Sequence, residues 1–332
     1  VGPVRFGYKA SAEQFAPGEL LEFAVAAEEH GFDSVFVSDH LQPWRHTGGH
    51  APAALPWLGA LAARTSRVLI GTSVLTPTYR YHPVVVAQAF ATLACLAPGR
   101  VVLGVGSGEA MNEAPLGAPW PRPGVRLERL AEAVTLIRAL WAGDRVDHAG
   151  THFHAVRATV YDRPPTPVPL YVAAGGPVAA KLAGALGDGL ICTSGKGEDL
   201  YRDTLLPAFL AARPPGAPDP DLMIEVKVSF DPDPAAAREA TRHWAALALT
   251  PQEKTGVADP VEMQRRADAL DTARAASRWI VSADPAAHAE AVAGYLRLGF
   301  RHLVFHAPGP DQHAFLRRYR DDVLPRLRAY GA

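Results

Sequence analysis

Ser34-Val35-Phe36-Val37-Ser38-Asp39-His40-Leu41-Gln42-Pro43-Trp44 joins an apolar, β-branched run to an acid, a base and an indole. The run reads as a short buried strand, and the residues after it stand at the strand's carboxyl end. Parallel α/β proteins build their active sites at those ends, so His40 is a candidate catalytic imidazole. Comparable short runs recur along the chain at Val4–Gly7, Val68–Thr72, Val101–Gly104, Leu170–Ala173, Gly189–Cys192, Met223–Ser229 and His302–His306. Longer segments with apolar residues three and four apart lie between many of them: Gly18–His30, Ala53–Arg64, Pro83–Leu96, Val125–Trp141 and Pro285–Leu298. Eight strands alternating with helices predict an α/β fold of the (β/α)8 TIM-barrel type.

The 332 residues exceed the about 250 of a plain barrel and leave room for insertions. We expect a single barrel domain over residues 1–332, with a hairpin inserted near 144–161 and a helical excursion near 232–270. The Pro- and Gly-rich stretch Arg213–Pro220 reads as a surface loop, because too little chain follows it for a separate α/β domain. A net charge of -1 argues against nucleic acid or an anionic membrane as partner. Cys95 and Cys192 form no C-x-x-C pair, as expected of a reduced, cytoplasmic protein. The first residues read as the start of a strand, with no export signal or membrane anchor. His40, His46 and His50 do not share one helical face, and no metal is expected.

Polar residues at the strand ends form a short list. Ser11 and Glu13 follow the first strand, Asp39, His40 and Trp44 the second, Ser73 and Thr76 the third, and Gly106, Gly108, Glu109 and Asn112 the fourth. The fifth gives Gly175-Gly176-Pro177, the sixth Thr193-Ser194-Gly195-Lys196, and the excursion Lys254 and Arg278. Gly104-Val105-Gly106-Ser107-Gly108-Glu109 is not a dinucleotide fingerprint, which disfavours nicotinamide. Gly175-Gly176 opens a helix whose free N–H groups suit a phosphate.

Gly7-Tyr8-Lys9-Ala10-Ser11-Ala12-Glu13-Gln14-Phe15, Ser38-Asp39-His40, Gln42-Pro43-Trp44-Arg45-His46, Gly71-Thr72-Ser73-Val74-Leu75-Thr76-Pro77-Thr78 and Thr193-Ser194-Gly195-Lys196-Gly197-Glu198 carry a resemblance. They are similar to the coenzyme F420-dependent glucose-6-phosphate dehydrogenases, a group of the luciferase-like flavin and deazaflavin oxidoreductases. The likeness runs from about Phe6 to Leu327 and implies the same barrel, usually as a homodimer. It implies oxidation of a sugar 6-phosphate at C1, with hydride transfer to C5 of the deazaflavin F420. His40 would be the base for the C1 hydroxyl and Trp44 a donor to the same oxygen. Glu109 would protonate the cofactor, with Glu13 as accessory acid, and Asp39 would orient the cofactor ring or the imidazole. A cis peptide is expected at Ser73–Val74, with Thr76, Gly106, Gly108, Ala110 and Asn112 lining the ring and its side chain. Gly175, Gly176 and Pro177 would lie near the cofactor phosphate. Lys196, Lys254 and Arg278, with Thr193, match the residues that take the substrate phosphate.

One segment departs from the family. Its Trp-Pro-Glu-Phe-Lys-Glu-Arg is replaced by Trp120-Pro121-Arg122-Pro123-Gly124-Val125-Arg126, in a shorter, proline-rich loop after Gly117. Mannose 6-phosphate, fructose 6-phosphate or another alcohol therefore stands beside glucose 6-phosphate as a candidate substrate. An FMN-dependent monooxygenase and a non-enzymatic binder of F420 are the rival classes. The residues Glu13, His40, Trp44 and Glu109 weigh against a mere binder, which has no need of acid/base groups.

Overall fold

The computed structural model describes residues 3–117 and 119–331. Its strands are β1 (Arg5–Ala10), β2 (Ser34–Val37), β3 (Leu69–Thr72), β4 (Val101–Val105), β5 (Val146–Ala149), β6 (His154–Ala158), β7 (Leu170–Ala173), β8 (Gly189–Thr193), β9 (Asp221–Phe230), β10 (Ile280–Ser282) and β11 (His302–His306). Parallel pairing runs β11-β1-β2-β3-β4-β7-β8, and β9 closes the ring by pairing with both β8 and β11. The fold is a TIM barrel, as expected. β5 and β6 form an antiparallel hairpin outside it.

Several boundaries differ from the sequence reading. β1 continues through Tyr8, Lys9 and Ala10, all buried, because the interior accepts a lysine where a carboxylate awaits it. The helix expected from Val125 starts on Pro123, so the segment read as a loop to Arg126 ends at Arg122. Proline suits that first position, where the missing N–H has no helical partner to lose. Helical structure at Leu200–Ala211 and from Gln312 onward was not anticipated. Neither was β10, whose three residues are too few to show a period.

Alternation divides β9 between two environments. Ile224, Val226 and Val228 join the outer core under the helices, while Met223 packs inside the barrel with Phe36, Val102, Tyr171, Ile191 and Val304. Side chains of a strand point to opposite faces in turn, so Glu225 and Lys227 share the inward face with Met223. The first part of β9 pairs within the barrel; its last residues, Val228 to Phe230, pair with β10 instead.

The amino-terminal end of the barrel is tied by Asp221. Its Oδ2 accepts from Arg5 Nη1 at 3.0 Å and Tyr171 OH at 2.9 Å, and lies 3.0 Å from His302 Nδ1. Burial alone would raise this carboxyl, but the bond and charge of His302, the Tyr171 hydroxyl and Arg5 outweigh it and hold it below the ordinary value of 3.8. Its contribution is complete above that value and fades as the pH falls below it. Asp221→Ala strands these partners and is expected to cost about 3 kcal/mol or more at pH 7. Urea denaturation would measure the loss, which should shrink in acid; an equal loss at pH 7 and pH 3 contradicts the account.

Candidate active site

At the opposite, carboxyl end of the strands opens a cavity of about 590 Å³. Glu13, Asp39, His40, Trp44, Ser73, Val74, Thr76, Gly106, Gly108, Glu109, Asn112 and Gly175 line it, together with Thr193, Lys196, Lys254 and Arg278. Ala110, Gly176 and Pro177 do not. Ala110 opens the short helix Ala110–Glu113, and Pro177 is exposed at the start of the helix Pro177–Leu186, just outside the rim.

His40 stands where β2 delivers it. Its Nδ1 lies 3.2 Å from the carbonyl of Gln42, which can only accept, so Nδ1 carries a proton. Nε2 is therefore the nitrogen that gives and takes the second proton, and it faces Glu13 Oε1 at 3.3 Å and Glu109 Oε2 at 3.8 Å. Glu13 is buried, and Ser38 donates to its other oxygen at 2.9 Å. Burial pushes the Glu13 carboxyl up, but the charges of His40 and Lys9 and the Ser38 bond prevail and leave it below its ordinary value. It is ionised at neutral pH, which suits a partner of the imidazole better than the accessory acid suggested by resemblance. Glu109 is half exposed at the rim.

Asp39 lines the same cavity without a bond to the imidazole. Its carboxylate accepts from Arg80 Nη2 at 2.7 Å, Ala54 N at 3.1 Å and Tyr81 OH at 3.3 Å, and makes no hydrogen bond to His40. It pins the entry to the helix Ala54–Arg64. Asn112 holds the loop after His40 in the same way, its Oδ1 accepting from Leu41 N at 3.0 Å and Gln42 N at 3.3 Å. Trp44 lies beside His40, with ring centres 5.8 Å apart.

One wall is apolar. The Ser73–Val74 peptide is cis, and Val74 packs against bare Gly106, where a Cβ would come within 2.7 Å of Val74 Cγ2. Ala173 and Ile191 extend this wall. Gly108 has φ +87°, a conformation that favours glycine, and a Cβ there would meet the Trp120 ring at 3.0 Å and Thr76 Cγ2 at 3.1 Å.

The other end is cationic. Lys254 ends the helix Pro251–Lys254, which Thr250 and Glu253 cap reciprocally, and its Nζ lies 4.8 Å from the centre of the Trp44 ring. Arg278 is fixed by donating to Leu247 O at 3.1 Å and Ser194 O at 3.0 Å, while its buried Nε has no partner among the described residues. Lys196 Nζ stands 3.5 Å from where a Cβ on Gly175 would lie. Burial first, then Arg278, lower the pKa of Lys196; burial also lowers that of Lys254, where the Glu109 carboxylate opposes and Arg278 and Lys196 add to the fall. Like charges gathered this way, without ion pairs of their own among the described residues, await an anion.

Sequence reasoning missed Lys9, Glu225, Lys227, Trp244 and His306, which also line the cavity. The signal was present in Met223-Ile224-Glu225-Val226-Lys227-Val228-Ser229, where polar residues alternate with apolar ones on the face turned inward. Lys9 Nζ donates to Ser73 O at 2.6 Å and lies 3.1 Å from Glu225 Oε2. Among the described residues, no group of three or more His, Cys, Asp or Glu is placed to hold a metal ion. Among them, too, no helix is long and apolar enough to cross a membrane.

An apolar wall for a flat ring, set against an imidazole between carboxylates, equips a barrel oxidoreductase that works on an alcohol with an organic cofactor. Known proteins carry the assignment further. The chain belongs to the luciferase-like monooxygenase family, whose model matches residues 3–302. It is 68% identical over 329 residues to the F420-dependent glucose-6-phosphate dehydrogenase of Beutenbergia cavernae, covering 98% of both chains. Identity to the F420-dependent glucose-6-phosphate dehydrogenase of Nakamurella multipartita is 62% over 330 residues, 98% of this chain and 97% of that one. Among solved structures, an F420-dependent secondary alcohol dehydrogenase in complex with an F420-acetone adduct matches with a TM-score of 0.92 at 34% identity. That match covers 98% of this chain and 99% of the other.

Proposed function

We propose that this protein is an F420-dependent glucose-6-phosphate dehydrogenase, oxidising the sugar at C1 to 6-phosphogluconolactone. The observation that carries the reading is the division of one cavity into an imidazole end, with His40, and an anion end, with Lys196, Lys254 and Arg278. A substrate that is an alcohol at one end and a phosphate at the other fits both.

The residues fit the cofactor as well. Val74, Ala173 and Ile191 offer its ring an apolar surface, Thr76 and Asn112 offer polar groups, and the backbone at Gly175 and Gly176 lies at a helix amino terminus suited to its phosphate. F420, when bound, supplies a deazaflavin that accepts a hydride at C5. His40 Nε2 takes the proton of the C1 hydroxyl, and ionised Glu13 steadies the imidazolium that results. The Trp44 indole N–H donates to the same oxygen as negative charge gathers there. Glu109, at the rim, is the carboxyl that the resemblance assigns to proton delivery on the cofactor side. Thr193, Lys196, Lys254 and Arg278 grip the phosphate and set the distance from it to C1.

The test is anaerobic absorbance of the protein with F420, following bleaching of the oxidised deazaflavin as sugars are added. Glucose 6-phosphate should bleach it, and mannose and fructose 6-phosphates rank the tolerance of the pocket. Equal bleaching by unphosphorylated glucose or by simple alcohols would take the phosphate out of the function. A homodimer in the cytoplasm belongs to the same reading, supported by the resemblance. A monomer in sedimentation at micromolar concentration would remove the dimer.

A further inference from the structure

The wall of the anion end carries another cation. Lys227 on β9 is 3% exposed, yet it lines the cavity. Its ammonium donates to Thr193 Oγ1, its one side-chain hydrogen bond among the described residues. Glu225, two residues earlier, does not neutralise it: Oε2 is taken by Lys9 at 3.1 Å, and Oε1 faces His306 Nδ1 at 3.6 Å. A buried ammonium with donors to spare, on the wall of a polar cavity, is built for a guest that brings acceptors.

Thr193 says where such a guest would sit. An ammonium can only donate, so Thr193 Oγ1 accepts from it and must point its own proton elsewhere. Among the described residues nothing accepts that proton. The backbone on both sides is fixed, since Tyr201 OH donates to Thr193 O at 2.8 Å and Lys227 N donates to Ser194 Oγ at 2.8 Å. The Thr193 hydroxyl is thus held as a donor on the wall it shares with Lys196 and Arg278.

We infer that Lys227 is a fourth cation of the anion pocket, a positioning residue that turns the Thr193 hydroxyl proton onto the substrate phosphate and adds its charge to Lys196, Lys254 and Arg278. The inference rests on the function proposed above. The groups facing Lys227 are Lys9 from β1, Lys196 beyond β8, Glu225 on its own strand, Arg278 from the excursion and His306 from β11. Burial lowers the ammonium most, Glu225 opposes, and the three cations lower it further, to about 7. A bound dianion raises it again. Below pH 7 Lys227 is charged with or without ligand; above pH 7 it must gain a proton as the ligand binds. Affinity therefore falls as the pH climbs from about 7 toward the higher, ligand-bound value. A phosphate monoester, with its second pKa near ~6, is already a dianion there and takes up no proton itself.

Two measurements on the full chain test this. Calorimetric titration with inorganic phosphate at pH 8, in buffers of different ionisation heat, should show proton uptake that Lys227→Met largely abolishes. With F420 bound, Lys227→Met and Thr193→Val should each raise KM for glucose 6-phosphate by about tenfold or more and change kcat by less than about threefold. Thr193→Ser should restore KM, and the two changes combined should add little to either alone. F420 affinity, read from its fluorescence, should stay as in the parent, which a general disturbance of the barrel would not allow. A folded Lys227→Met protein with the parental KM overturns the inference, as does phosphate binding at pH 8 without proton uptake. Should Lys227→Met fail to fold, an unchanged KM in Thr193→Val overturns it equally. If the parent binds phosphate with Lys227-dependent proton uptake but never oxidises glucose 6-phosphate, the proposed reaction fails and the anion site stands.

Discussion

Alanine at His40 is expected to lower kcat for glucose 6-phosphate by about 10²- to 10⁴-fold while F420 still binds. Nε2 faces the cavity and Nδ1 is committed to the Gln42 carbonyl, so the ring has one nitrogen free for the reaction. The apolar wall of Val74, Ala173 and Ile191, proposed to support the cofactor ring, does not depend on that imidazole nitrogen. Stopped-flow bleaching under saturating cofactor isolates the step. A loss confined to KM would mean that His40 binds the sugar rather than accepting its proton. Removing the imidazole also frees Glu13 from its partner, and a buried carboxylate without one is costly. Asparagine at position 40 is therefore a useful companion, keeping polar contact with Glu13 while lacking a base.

The second large effect is expected from Lys254→Ala combined with Arg278→Ala. Each charge-assisted hydrogen bond to a phosphate contributes about 1.5–3 kcal/mol, so losing two should raise KM for glucose 6-phosphate by about 10²-fold or more. These cations hold a part of the substrate that does not change during the reaction, so kcat should move much less. Arg278 is the more delicate of the two, because it also ties the excursion to Ser194 and Leu247. The single Lys254→Ala variant separates charge from scaffold, since the Lys254 side chain bonds no backbone carbonyl among the described residues. Unphosphorylated glucose is the control: its turnover should be indifferent to either change. Steady-state kinetics giving the parental KM for the phosphate in the double variant would move the phosphate elsewhere.

The barrel was legible because its strands are short runs of buried, β-branched residues bounded by polar strand ends, as in Ser34–Val37 before Ser38-Asp39-His40. Helix starts were legible at Pro83 and Pro285, but not at Pro123, which opens a helix expected from Val125. Charged residues within strands were not. Lys9 lies beyond the end expected for the first strand, and Glu225 and Lys227 sit in a run that does not say which face turns inward, because their partners come from strands far apart in the chain. The roles of Asp39 and Glu13 were likewise hidden. A sequence shows that a carboxylate stands beside His40, but whether it faces Arg80 or the imidazole is decided by a helix and a loop that packing brings together. The excursion was visible as surplus length, and its strand β10 was not, because three residues carry no period.

β9 serves the barrel with its first residues and the excursion, through β10, with its last. Glu13, His40 and Glu109 follow β1, β2 and β4, and β11 alone stands between β1 and β9 in the ring. The chain thus draws its imidazole from its first half and its cations from its second, Lys196 beyond β8 and Lys254 and Arg278 beyond β9. A change confined to the excursion would reach Lys254 and Arg278 while leaving His40, Lys196 and Lys227 in place. On the proposed function, the excursion tunes the hold on the phosphate without touching the base.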